Sequence, residues 1–146
     1  MPTTASDHDL LEASQALRGT LARLVRRLRA ADADAPPLRL GAVLGRLDRE
    51  GALTTSELAV RERMRPQSMA ETIRELESDG LVQKAGDPTD GRRLLVSLTP
   101  AGRRLIAKTR KRREDWLAAA LAEKLTPRER DTLVRAIELL DRLADG

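Results

Sequence analysis

Between residues 54 and 99 the chain changes from helical to alternating periodicity and back, and a cap or turn residue marks each change. Thr54-Thr55-Ser56-Glu57 fits a capping box, in which a hydroxyl accepts from the amide three residues on and the carboxylate accepts from the cap amide. A short helix runs from there to about Val60 and buries Leu58 and Ala59. RERM (61–64) is a tight turn. The next helix, over 65–79, opens on Arg65-Pro66, and proline suits a first helical position because that amide has no intrahelical acceptor. Met69, Thr72, Ile73 and Leu76 make its inward stripe; Gln67, Ser68, Glu71, Arg74, Glu75 and Ser78 face outward, and Asp79-Gly80 stops it. Residues 81–85 and 94–98 read as paired strands. The connection GDPTDGRR (86–93) is dense in turn residues and too long for a two-residue hairpin, so it projects, with Arg92 and Arg93 at its tip.

Long amphipathic helices flank this stretch. Over 9–31 the leucines at 10, 17, 21, 24 and 28 share one face, and arginines take the other. ADADAPP (31–37) ends that helix, because tandem prolines cannot continue it. A helix over 38–50 turns Leu40, Val43, Leu44 and Leu47 inward and stops at Gly51. Thr99-Pro100 begins a helix to about 122, and Thr126-Pro127-Arg128-Glu129 is a second capping box that begins the last. The order is α-α-α-α-β-β-α-α, mainly α with a small β wing.

The chain has one aromatic residue, Trp116, so its core is built from Leu, Ala, Val and Ile, which suits helix-on-helix packing better than a sheet sandwich. It has no cysteine and one histidine, His8, expected in a frayed N-terminus. Disulfides, thiolate switches and thiolate zinc sites are excluded, and no metal or other cofactor is expected. Serine-based catalysis lacks an activating base, and no glycine-rich phosphate loop is present, so an enzyme is not expected. The acidic, polar start of the chain does not read as a signal peptide. No apolar run approaches the ~20 residues that span a bilayer. The expected location is the cytoplasm, with no membrane partner. A net charge of +4 favours polyanions as partners. Residues 18–29 and 103–113 are basic without an acid; each reads first as a solvated helix face, and KTRKRR (108–113) as part of one rather than a separate tag.

A helix, tight turn, helix and hairpin make a winged helix-turn-helix. In that arrangement the second helix lies in the major groove of double-stranded DNA and the wing reaches the flanking minor groove. The residues expected at the DNA are Arg65, Pro66, Gln67, Ser68, Glu71, Thr72 and Arg74 from the helix, and Asp90, Arg92 and Arg93 from the wing. Gln can pair with adenine, Arg with guanine, and Glu can accept from the cytosine amine. One at a time, each is an ordinary exposed polar position; together, in order, they read as an interface.

Residues 53–82 (LTTSELAVRERMRPQSMAETIRELESDGLV) and 87–105 (DPTDGRRLLVSLTPAGRRL) resemble the MarR family of bacterial transcription regulators. The wing pattern Asp-x-Arg, six residues, Thr, then Ala-Gly is met by Asp90, Arg92, Thr99 and Ala101-Gly102. The likeness spans about two-thirds of the chain. It implies an intertwined homodimer formed by the first and the last two helices, a repressor that blocks polymerase, and Arg92 as the minor-groove arginine with Asp90 as the acid that holds it. It also implies a small-molecule effector of unknown identity, although this chain has almost no aromatics to line such a pocket; Arg46, Arg49 or Arg18 could receive a carboxylate. Two departures from the family are Arg65, where the helix cap is often Ser, Thr or Asp, and Glu71, at a frequently basic position.

Dimerisation has an independent argument. The terminal helices carry longer apolar stripes than a small central lobe can bury, and an unburied patch of that size marks an interface. The expected organisation is a dimerisation helix over 9–35, a winged helix-turn-helix over 36–104, and dimerisation helices over 105–146. A twofold dimer would set two reading helices ~34 Å apart, on an inverted repeat. The alternative is a winged-helix module for protein partners, which has no need of arginines at its wing tip.

Overall fold

A computed structural model describes residues 7–145. Residues 1–6, the first part of the polar start of the chain, lie outside them. The elements are α1 (Asp7–Ala30), α2 (Leu38–Glu50), β1 (Leu53–Thr54), α3 (Thr55–Arg61), α4 (Pro66–Ser78), β2 (Val82–Gly86), β3 (Leu94–Leu98), α5 (Pro100–Lys124) and α6 (Pro127–Ala144). His8 lies in α1 and pairs with Glu12 at 3.2 Å, so the helix begins earlier than its periodicity alone suggests.

The described residues divide into two compact units. Asp34–Lys111 form one; the segment ending at Ala33 and the segment from Arg112 onward form the other. The first holds the winged helix-turn-helix. Its core joins Leu40, Val43, Leu44 and Leu47 of α2, Leu58 and Ala59 of α3, Met69, Ile73 and Leu76 of α4, and Val82, Val96 and Leu98 of the sheet. Leu105 and Ile106 of α5 pack against this core, so the compact unit runs past residue 104.

The sheet has three strands in the order β1-β3-β2, all antiparallel. The hairpin pairs Val82 with Leu98 and Gly86 with Leu94. β1 is an addition to the element order read from the sequence. It is two residues long, pairing Leu53 with Val96 and Thr54 with Leu95, and two residues are too few to show an alternation. Thr54 therefore ends a strand and caps a helix: its hydroxyl accepts from Glu57 N at 3.1 Å, and Glu57 Oε2 accepts from Thr54 N at 2.8 Å.

The end of α4 is fixed by Gly80, at φ +71°. Gly80 N donates to Glu77 O and Leu81 N to Leu76 O, both at 2.9 Å, the paired bonds of a Schellman stop. α5 starts against that stop. Thr99 N donates to Leu81 O at 3.1 Å, Thr99 Oγ1 donates to Gly80 O at 2.6 Å, and Gly102 N donates to Thr99 Oγ1 at 3.1 Å. Gly102 is buried, because only a residue without a side chain lets α5 lie this close to the Leu81 carbonyl.

The other unit is helical. Arg112 Nη1 donates to the buried Asp32 Oδ1 at 2.6 Å, and the Arg27 guanidinium lies 5.5 Å from the centre of the Trp116 ring. Arg130 reaches back from α6 to the last carbonyls of α5, Leu121 O at 3.2 Å and Ala122 O at 2.6 Å. Among the described residues of this unit no apolar side chain is buried. Leu10, Leu11 and Val25 of α1 are at least half exposed, as are Val134, Leu139 and Leu143 of α6.

Candidate nucleic-acid interface

α4 is held by the face it buries. Met69, Thr72, Ile73 and Leu76 are inaccessible, a stripe of three- and four-residue spacing against the core. Gln67, Glu71 and Arg74 stand exposed on the opposite side, with Ser68 half-buried beside them. Arg65 and Pro66 are exposed at the helix start. Arg65 is the N-cap and makes no side-chain cap bond, in keeping with its departure from the usual Ser, Thr or Asp.

Thr72 does not belong with the reading residues. It is fully buried; its hydroxyl donates to Ser68 O at 2.9 Å and accepts from Arg39 Nη1 at 2.8 Å. The same arginine pairs with Glu75. Arg39, on α2, thus braces the reading helix from behind. Sequence reasoning missed it, because the partners lie 33 and 36 residues apart and no local pattern joins them.

The wing tip is an ordered turn. Asp87 Oδ1 accepts from Thr89 N at 2.9 Å and from Thr89 Oγ1 at 2.8 Å. Asp87 N donates to Arg93 O at 2.9 Å, and Arg93 N to Asp90 O at 3.0 Å. Asp90 Oδ1 accepts from the Arg92 backbone amide at 3.1 Å. The expected acid for Arg92 therefore grips its backbone, and among the described residues the exposed Arg92 guanidinium has no ion-pair partner. Arg93 is differently placed: Nη2 pairs with Glu57 Oε1 of α3 at 2.7 Å, and Nη1 lies 3.8 Å from Asp87 Oδ2.

These bonds leave an electrostatic mark. The Thr54 backbone amide, then its hydroxyl and Arg93, hold the Glu57 carboxyl below the usual range. The Thr89 backbone amide does the same for Asp87, and the Arg46 guanidinium for Glu50. A carboxylate whose pKa is depressed on folding stabilises the fold above its unfolded pKa, and that contribution is lost as pH falls through the folded value. Thermal midpoints are therefore expected to hold from pH 7 to 5 and to fall below ~pH 4.5. Glu57→Gln, which cannot titrate, should melt below wild type at pH 7 and converge on it by pH 3. Circular dichroism melts across that range would refute this if the gap stayed constant.

Arg46, considered as a carboxylate receptor, is already engaged by Glu62 at 2.7 Å and Glu50 at 2.9 Å. A hollow lined by Leu47, Ala52, Ser97, Leu98 and Arg103 measures about 220 Å³, below the roughly 300 Å³ at which drug-sized ligand sites begin. In the basic run of α5, Arg110 pairs with Asp48 and Arg112 with Asp32, whereas Arg103, Arg104 and Lys108 are exposed.

Comparison with known proteins agrees with this geometry. The MarR family model matches residues 39–94. An uncharacterized HTH-type transcriptional regulator of Mycobacterium bovis is 42% identical over 124 residues, 84% of this chain and 86% of the relative. The chain belongs to the MarR family. A crystal structure of a protein from Pseudomonas aeruginosa, assigned as a transcriptional regulator, superposes with a TM-score of 0.83 at 42% identity, covering 97% of this chain and 99% of that one. A MepR variant of S. aureus bound to an oligodeoxyribonucleotide shares the fold at 20% identity, with a TM-score of 0.68 over 90% of this chain and 97% of that one. This MarR-family chain is a helix-turn-helix transcriptional regulator with a DNA-binding winged helix. No helix among the described residues is long and apolar enough to cross a membrane.

Proposed function

We propose that two copies of this chain pair through their terminal helices and repress transcription in the cytoplasm by occupying an inverted-repeat operator. One observation carries the DNA-reading half. α4 commits one side to the core and leaves Gln67, Glu71 and Arg74 exposed, following Arg65, while the nearby Arg92 guanidinium has no ion-pair partner. Gln67 and Glu71, four residues apart, would read base edges, and Arg92 would enter the minor groove. The oligonucleotide bound by the MepR variant, which has the same fold, supports DNA as the partner.

The pairing half rests on the helical unit. Leu10, Leu17, Leu21 and Leu24 of α1, with Ile137 and Leu139 of α6, are exposed in one chain, and a second copy is the partner whose apolar face would match. Binding should be titrated across salt on the fragment upstream of the chain's own gene, with an unrelated fragment as control. The expected result is preference for the upstream fragment, affinity that falls with salt, and a footprint of two half-sites about one DNA turn apart. Absence of binding to both fragments at low salt would sink the reading. A Leu21→Arg, Leu24→Arg variant should sediment as a monomer and lose the two-half-site footprint.

A further inference from the structure

The geometry points to Arg93 as a positioning residue: its guanidinium, bound by Glu57 of α3 and facing Asp87 of the wing turn, holds the wing on the helix-turn-helix so that the neighbouring Arg92 is free to meet DNA. This rests on the DNA-binding reading above and divides the two wing arginines, which look equivalent in sequence, into different roles.

Arg93 is engaged through both its backbone and its guanidinium. Its amide donates to Asp90 O, its carbonyl accepts from Asp87 N, and its guanidinium pairs with Glu57 of α3 at 2.7 Å and lies 3.8 Å from the Asp87 carboxylate of the wing turn. Glu57 is equally committed, with Oε2 on the Thr54 amide and Oε1 on Arg93. One glutamate therefore caps α3 and tethers the wing, 36 residues further along the chain. A DNA phosphate at Arg93 would face the Glu57 carboxylate across a single guanidinium, and like charges would repel. Arg92 meets no such opposition: its guanidinium has no ion-pair partner among the described residues, and the Asp90 carboxylate accepts from the Arg92 backbone amide instead. The two arginines differ by what is already bound to them.

The substitution that separates the roles is Glu57→Gln. Glutamine can still serve the capping box, so α3 keeps its start while the charge that grips Arg93 is removed. If Arg93 touched phosphate, this change would release a cation and delete an acid, and binding would tighten. If Arg93 is the tether, binding weakens. The sign decides.

The test uses the full chain and a duplex that wild type selects from a random-sequence pool, with affinity measured across salt. Glu57→Gln and Arg93→Gln are each expected to weaken binding about 2- to 30-fold, because an exposed ion pair is lost at both wings of a dimer. The double variant should be no weaker than Arg93→Gln, since both changes remove one interaction. The slope of log affinity against log salt should stay at the wild-type value for Arg93→Gln and fall by about one for each phosphate lost in Arg92→Gln. Without DNA, the wing amides of Asp87 and Arg93 should exchange hydrogen faster in Glu57→Gln than in wild type. Tighter binding by Glu57→Gln, a reduced salt slope in Arg93→Gln, or unchanged wing exchange would each overturn the assignment. If wild type selects no duplex, the DNA-binding reading fails, and the exchange measurement still decides whether Glu57 holds the wing.

Discussion

Gly102→Ala is expected to destabilise the winged-helix unit by about 1–3 kcal/mol and to lower its melting temperature by roughly 4–24 °C. The ordinary rule runs the other way, since alanine in place of a helical glycine gains about 1 kcal/mol. Here the added Cβ would lie 3.1 Å from the Leu81 carbonyl carbon, closer still to its oxygen, and 3.3 Å from Leu98 Cδ2. The neighbour in the way is backbone, and it is fixed from two directions. Leu81 N closes the stop of α4, and Leu81 O accepts from Thr99 N at the start of α5. Relief would require α5 to lift away, which would break the bonds of Thr99 to Leu81 and Gly80 and open the core beside Leu98. Circular dichroism melts of the variant beside wild type measure the effect. An unchanged or raised midpoint would mean that the close approach does not exist.

The second large effect falls on specificity. Gln67→Ala with Glu71→Ala is expected to reduce the preference for operator over unrelated DNA nearly to one, while leaving salt-dependent binding in place. A good base contact discriminates by about 1–3 kcal/mol, so two on each of two reading helices amount to about 4–12 kcal/mol. The full margin between specific and non-specific binding is typically about 4–10 kcal/mol, so on the proposed reading these residues would account for most of it. Glu71 adds a signature of its own. An acid on the side proposed to face DNA would repel phosphate, so its removal should strengthen binding to the unrelated fragment modestly. Competition binding with both fragments reads the two effects together. A parallel fall on both fragments would mean that Gln67 and Glu71 act on the backbone or on folding rather than on bases.

Much of the architecture could be read before any coordinates because helix boundaries are written locally. Thr54 with Glu57, Thr126 with Glu129, Pro66, Gly80 and Pro100 each mark a terminus within a few residues, and the structure starts α3, α4, α5 and α6 within a residue of those marks and ends α4 two residues before Gly80. What escaped was non-local. β1 exists only because β3 lies beside it, and Leu53-Thr54 carries no strand signal alone. Thr72 falls both on the inward stripe and among the residues expected at the DNA; the structure keeps it in the core, and the partner of its hydroxyl across the fold, Arg39, is what no local pattern shows. Arg92 and Arg93 are adjacent and chemically identical, so only the location of Glu57 in space separates them. Asp90 was expected to grip a guanidinium and instead accepts a backbone amide two residues on, a turn-forming habit of aspartate that competes with its role as a counter-ion.

The single indole of Trp116 also has an optical consequence. With no tyrosine or phenylalanine in the chain, all intrinsic ultraviolet emission arises from one ring in α5, beneath the Arg27 guanidinium and within the helical unit. Fluorescence then reports events around that ring and is silent to local changes confined to α4 or the wing, whereas far-ultraviolet ellipticity sums over every helix. The two signals, followed in one titration with denaturant, act as separate channels: coincident traces would mark a molecule that comes apart in one step, and divergent traces would resolve the helical unit from the winged helix without any added label.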